Sequence, residues 1–187
     1  GMRPISFDRI ESSRVVAPVG SLLDFGDAPA PFPTTLAGNG ARHIATGPML
    51  GDFRDSETDG QASAAANGDD TAPGGTAPSD EDGVTIPVAL VAGSSATIVI
   101  VTRDDGFQVG YVNAWIDFNG DGDWDDAGEQ ILRDDTSSLR GRGETRHFLA
   151  IPATASPGTR VARFRISTQQ GLAYDGPALV GRLRQAF

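Results

Sequence analysis

Between positions 117 and 129 the chain reads Asp-Phe-Asn-Gly-Asp-Gly-Asp-Trp-Asp-Asp-Ala-Gly-Glu, with oxygen-bearing side chains at Asp117, Asn119, Asp121 and Asp123. A hard cation such as Ca²⁺ takes about six to eight oxygens at roughly 2.3–2.6 Å, and alternate acids followed by a turn-forming glycine can supply them. The spacing predicts a calcium loop with Asp117, Asn119, Asp121, Asp123 and Glu129 as ligands and Asp125 as a direct or water-bridged one. Its second half departs from the usual calcium loop, because Gly128 stands where a bidentate glutamate is expected and Glu129 comes one residue late. Asn-Gly and Asp-Gly are also strong hairpin signals. A bare turn, however, does not require four alternating oxygen donors.

A second candidate is Asp55-Ser-Glu57-Thr-Asp59-Gly60, which repeats the alternating acids before a glycine. Asp24, Asp27, Asp70 and Asp82 are available to complete it from a distance. Asp and Glu concentrate in windows 24–83 and 104–135, leaving Asp8, Glu11, Glu144 and Asp175 outside. Clustering of this kind suggests cation sites, whereas a solvated acidic surface does not need it. Of the two histidines, His147 lies in a strand pattern. His43 is placed either to hydrogen-bond an acidic loop or to assist a metal site.

These loops need a scaffold, and the residues preceding the first one supply its type. Tyr111 to Phe118 alternates, with Val112, Ala114, Ile116 and Phe118 on one face and Tyr111, Asn113 and Trp115 on the other, so it reads as a strand. Further strands are expected at Val84–Ile86, Ala96–Thr102, Gln130–Leu132, Thr145–Ile151 and Arg160–Ser167. The β-branched run 96–102 implies cover on both faces. In the last strand Ala162, Phe164 and Ile166 are read as inward, and Arg163 and Arg165 as outward. No helix longer than a turn or two is called for.

The 24 glycines and 12 prolines suit many turns, and the whole predicts an all-β antiparallel sandwich of jelly-roll or immunoglobulin-like type. A long acidic loop region, ordered by metal, would decorate it, since binding energy can become folding energy. The predicted organisation is an N-terminal segment or docking strand at 1–23, a single domain at 24–176, and a loose tail at 177–187. Within the domain, 24–83 is the acidic loop region and 84–176 the strand-rich core.

A net charge of −10 opposes nucleic-acid phosphates and anionic lipid alike. No apolar run approaches the roughly 20 residues of a membrane span, and zero cysteines exclude disulfides and thiolate metal sites. No leader of the charged-apolar-small type is visible at the N-terminus. Gly1-Met2 is read as an added start, with a native leader removed. No Gly-x-Ser-x-Gly elbow, His-Glu-x-x-His pair or phosphate loop occurs.

The chain resembles the bacterial GEVED-type domain. The resemblance rests on Asp24-Phe-Gly-Asp-Ala-Pro29, Gly40-Ala-Arg-His43, Leu50-Gly51, the acids at 55–60 and Asp80-Glu-Asp-Gly-Val84. It continues through Ala114-Trp-Ile-Asp-Phe-Asn-Gly-Asp-Gly-Asp-Trp124, Gly128-Glu129 and Ala162-Arg-Phe-Arg-Ile-Ser167, covering about 24–176. The family's closing Gly-Glu-Val-Glu-Asp segment is absent, since Gly181 is followed by Arg-Leu-Arg-Gln. The resemblance implies a β-rich, non-catalytic module of secreted or cell-surface proteins, often multidomain and adhesin-like.

The expected function is accordingly a calcium-binding structural or adhesive module, extracellular or at the cell surface, with neighbouring domains and a glycan or surface protein as partner. The alternative is a calcium-stabilised carbohydrate-binding module using Trp115 and Trp124, since a ring can stack on a sugar's apolar face. A hydrolase built on paired carboxylates is the third reading.

Overall fold

The computed structural model describes residues 23–54, 56–68, 82–86, 89–104, 109–136 and 142–178, and the backbone of 181–186. The protein is all-β; the described residues hold eleven strands and no helix. They are β1 (Leu23–Phe25), β2 (Arg42–Ile44), β3 (Met49–Leu50), β4 (Val84–Thr85), β5 (Ser95–Arg103) and β6 (Tyr111–Ile116). There follow β7 (Gln130–Asp135), β8 (Gly143–Ala150), β9 (Ala162–Ser167), β10 (Pro177–Ala178) and β11 (Gly181–Ala186). No helix of the described residues is long and apolar enough to cross a membrane.

Alternation places the core. Val112, Ala114 and Ile116 of β6, Phe118 beyond it, and Ala162, Phe164 and Ile166 of β9 all point to one side of the sheet ordered β11-β9-β6-β7. They share one buried cluster with Ala96, Ile98 and Ile100 of β5, Leu149 of β8 and Leu50 of β3. Those three strands belong to a second sheet, in which β5 pairs antiparallel with β3, β4 and β8. The inward residues expected in β6 and β9 are therefore inward. The outer face of β5 is less covered than its β-branched composition implied, with Thr97, Val99 and Val101 only half-buried.

A third, smaller sheet, β1-β2-β10, corrects the view of 24–83 as loop throughout. β1 and β2 are antiparallel and β2 and β10 parallel. Its strands are two or three residues long, too short to show a period in sequence. Together with the 172–176 turn this layer covers the far side of β9, so Arg163 and Arg165, read as outward, are fully buried. Arg165 Nη1 donates to the carbonyls of Ala173 and Asp175 (2.5 Å each), Nη2 to Gly176 (2.9 Å), and Nε to His43 Nε2 (3.1 Å). A buried cation needs such partners. Its five N–H groups tie three chain segments together.

The tail expected to be loose is a strand: β11 runs antiparallel to β9 over six residues, Gly181 opposite Ser167 and Ala186 opposite Ala162. The N-terminal segment lies outside the described residues up to position 22.

The excursion 52–82 leaves and re-enters a single edge strand. Gly51 N–H donates to Val101 O at 2.9 Å, and Val101 N–H donates to Gly83 O at 2.8 Å. β3 and β4 thus lie end to end along β5, as if the chain ran straight from 51 to 83. A Cβ on Gly83 would stand 2.5 Å from Gly51 N and from Leu50 C, so glycine is required for this approach. Asp82 closes the base by accepting from Asp52 N–H at 2.9 and 3.1 Å.

Candidate metal centre

The acidic loop joins β6 to β7, and its two innermost acids hold it to the sheet. Asp117 is buried at the end of β6 and accepts from Gly120 N–H (2.5 Å) and Gly122 N–H (3.2 Å). Gly120 and Gly122 have φ of 81° and 94°, the left-handed conformation that folds the loop back over Asp117. Glu129 is also buried, and its Oε1 accepts from Phe118 N–H at 2.9 Å. Its Oε2 is buried without a hydrogen-bond partner. Burial, with the Asp117 carboxylate nearby as a smaller cause, pushes the Glu129 carboxyl up to about 7.

Between these struts each side chain caps the second residue on. Asn119 Oδ1 accepts from Asp121 N–H (2.9 Å), Asp121 Oδ1 from Asp123 N–H (3.3 Å), and Asp123 Oδ1 from Asp125 N–H (2.9 Å). Carboxylate oxygens of Asp121, Asp123 and Asp126 lie within 4.8 Å of one another at the protein surface. The Asn119 amide nitrogen donates to Asp121 Oδ2 (2.9 Å) and Asp126 Oδ2 (2.5 Å), and so stands between two of the three. Three mutually repelling carboxylates fit a hard divalent cation: all are oxygen donors, and the exposed side leaves room for water.

This grouping differs from the set that spacing suggested. Asp121 and Asp123 belong to it, Asp126, not singled out before, completes it, and Asn119 bridges two of its members through its amide nitrogen. Asp125 does not, because its side chain meets the Tyr174 hydroxyl, which burial and that bond together push up to about 12. Asp117 and Glu129 sit behind the cluster as buried supports. Two adjacent aspartates at the end of an alternating run are equivalent in sequence. The turn at 126–129, closed by Glu129 N–H to Asp126 O at 3.2 Å, decides which one faces inward.

The second candidate set does not assemble among the described residues. Glu57 Oε1 accepts from Phe25 N–H, while its own N–H donates to Leu23 O at 2.9 Å, pinning the excursion to β1. Asp59 Oδ1 accepts from Leu36 N–H (2.5 Å) and Gly60 N–H (2.9 Å). Asp82 holds Asp52 as described. Asp24, within β1, and Asp27, just after it, are buried, and no three-acid grouping among the described residues includes them. Asp55 and Asp70 lie outside the described residues. Glu57, Asp59 and Asp82 each accept hydrogen bonds from backbone N–H groups.

Both tryptophans lie in a buried aromatic group. Trp115 and Trp124 are each 3% exposed and pack with Phe32, Ala28 and Tyr174. Phe32 lies 4.2 Å from Trp124, Tyr174 lies 5.7 Å from Trp124, and the Arg163 guanidinium sits 4.5 Å over the Trp124 ring. The Trp124 indole N–H donates to Val161 O at 3.2 Å. A cleft of about 380 Å³ beside the loop meets these rings together with Asp125, Asp126, Gln130 and Arg133. A larger cleft, about 1030 Å³, is lined chiefly by apolar side chains such as Leu90, Ile116 and Phe118 and involves none of the clustered carboxylates.

Residues 111–179 match the family model of the GEVED domain, a span that takes in the whole acidic loop, β6 to β10 and the buried arginines. Over that span the chain is similar to a GEVED-type domain. The match is narrower than the resemblance read from sequence, whose signposts between 24 and 84 precede it. No curated protein and no solved structure matches the chain. Neither histidine joins the acidic cluster. His147, inside the matched span, faces Asp135 at 3.2 Å, linking β8 to β7. His43, upstream of it, accepts the Arg165 hydrogen bond.

Proposed function

We propose that the 117–129 loop binds a calcium ion, and that the domain is a non-catalytic, calcium-stiffened β-sandwich module of a secreted or surface protein. The observation that carries this reading is the convergence of the Asp121, Asp123 and Asp126 carboxylates within 4.8 Å of one another. A cation there would neutralise mutual repulsion and lock a loop that otherwise holds itself by short-range hydrogen bonds. The two facing sheets around one core support the sandwich. Calcium-rich surroundings outside the cell make such a site useful there, and the loop would stiffen the module between neighbouring domains.

Glu129 bears on the non-catalytic part. A raised carboxyl beside a second carboxylate is a pattern shared with general acids. Both Glu129 and Asp117 are under 5% exposed, however, and Glu129 Oε1 and both Asp117 oxygens accept from backbone N–H groups, which supports a structural role for the pair. The pair is better understood as the loop's foundation.

The test is thermal unfolding in excess chelator and again in millimolar calcium. A ligand that binds only the native state adds about 2.7 kcal/mol at a hundredfold excess over Kd. Asp121→Ala and Asp126→Ala should abolish the calcium-dependent gain, whereas Asp125→Ala should retain it. No calcium-dependent rise in the parent chain would sink the proposal.

A further inference from the structure

The long strands of the two facing sheets differ in how their outer edges are treated. β7 is irregular: its register against β6 shifts twice between Val112 and Trp115, and Asp134 adopts a φ of 49°. Such irregularities twist an edge and discourage pairing. The outer edge of β5 is taken by β3 and β4. β8 is different. It spans eight residues and pairs with β5 in unbroken register from Gly143 to Ala150, and no described strand pairs with its other side. It has no proline, no bulge and no lysine. On its outward face Phe148 is 87% exposed.

The outward residues of β8 are Glu144, Arg146 and Phe148, with Glu144 and Arg146 in a 2.9 Å ion pair. Antiparallel partners directly opposite share a face, so a two-fold axis through one residue of β8 fixes every other pair. An axis at Arg146 would set two guanidinium groups against each other. An axis at Thr145 would pair only 143–147 of β8, trading the Glu144–Arg146 pair within each copy for the same pair between copies, and would set Phe148 against Arg142, which lies outside β8 and which Asp52 already holds at 2.6 Å. An axis at His147 pairs 144–150 with itself. It lays Arg146 of one copy across Phe148 of the other, twice, and keeps the Glu144–Arg146 pair intact. Cation over ring is favourable and covers the exposed phenyl.

We infer that β8 is a self-association edge at which a second copy of this chain adds in antiparallel register about His147, making one continuous sheet across the pair. The contact is small, so the dimer is a weak one. A foreign strand would need a matching pattern of its own, whereas β8 is complementary to itself.

The absence of cysteine makes the register directly readable. Opposed Cα atoms in an antiparallel pair are about 4.5–5.5 Å apart, within disulfide reach. Sedimentation of the full chain from micromolar to millimolar concentration should show a monomer–dimer equilibrium. His147→Cys should cross-link under mild oxidation and Thr145→Cys should not. Phe148→Ser, at an exposed position that leaves the melting temperature unchanged, should weaken association roughly tenfold. A monomer throughout the range, association untouched by Phe148→Ser, or cross-linking at 145 in place of 147 would each overturn the proposal.

Discussion

Replacing Arg165 by leucine tests whether one buried side chain holds the small β1-β2-β10 sheet to β9. The guanidinium serves three carbonyls in 173–176 at 2.5, 2.5 and 2.9 Å and His43 at 3.1 Å, all in a buried interior where leucine offers no donor. Each buried acceptor left dry costs about 1–3 kcal/mol, though these terms do not add fully because the 172–176 turn can relax. Removing a buried cation returns part of the loss. Desolvation pushes Arg165 down to about 9, the sign of a charge that is costly to bury, yet it stays protonated at neutral pH. The balance is a loss of about 3–5 kcal/mol, as for breaking other buried charged networks. Urea unfolding followed by tryptophan fluorescence measures it. Arg165→Lys should not rescue, because one ammonium cannot reach acceptors in both 173–176 and β2. Amides of 173–178 should exchange faster in both variants. A loss below about 1 kcal/mol for the leucine variant would refute the assignment of Arg165 as the tie between layers.

The Glu129 carboxyl, raised from 4.5 to about 7, keeps a proton in the native chain that the unfolded chain has lost over that interval. In chelator, stability should therefore fall as pH rises from about 4.5 to 7 and stay lower above it, and Glu129→Gln should flatten the profile; a wild-type profile as flat as the variant's would count against the buried, protonated carboxyl. Gly83→Ala forces a Cβ to within 2.5 Å of Gly51 N and should cost about 2 kcal/mol or more in urea unfolding, because both neighbours are backbone. Asp59→Ala removes the acceptor for Leu36 and Gly60 N–H and should speed proteolysis of the excursion equally with and without calcium. Protection by calcium in the parent alone would instead make Asp59 a ligand.

The long strands and the acidic loop were legible because both are local. Val112, Ala114, Ile116 and Phe118 alternate strictly, and so do Ala162, Phe164 and Ile166, so the face that meets the core follows from the period-two geometry of a strand. The glycines at 120 and 122 mark the fold-back of the loop, and the family resemblance followed from the same residues. Alternation also said correctly that Arg163 and Arg165 point away from that core. It could not say what lies on their other side. That depends on strands of two or three residues from distant parts of the chain, whose pairing is made by contacts rather than propensity. β11 was missed for a related reason: a short segment bearing two arginines looks like a solvated tail until β9 is found beside it. The choice between Asp125 and Asp126, and the burial of Trp115 and Trp124, were likewise tertiary. Sequence determined which residue types could gather oxygens or bury apolar surface. Only the packed chain decided which of them meet, because burial and convergence belong to pairs of segments that sequence spacing does not relate.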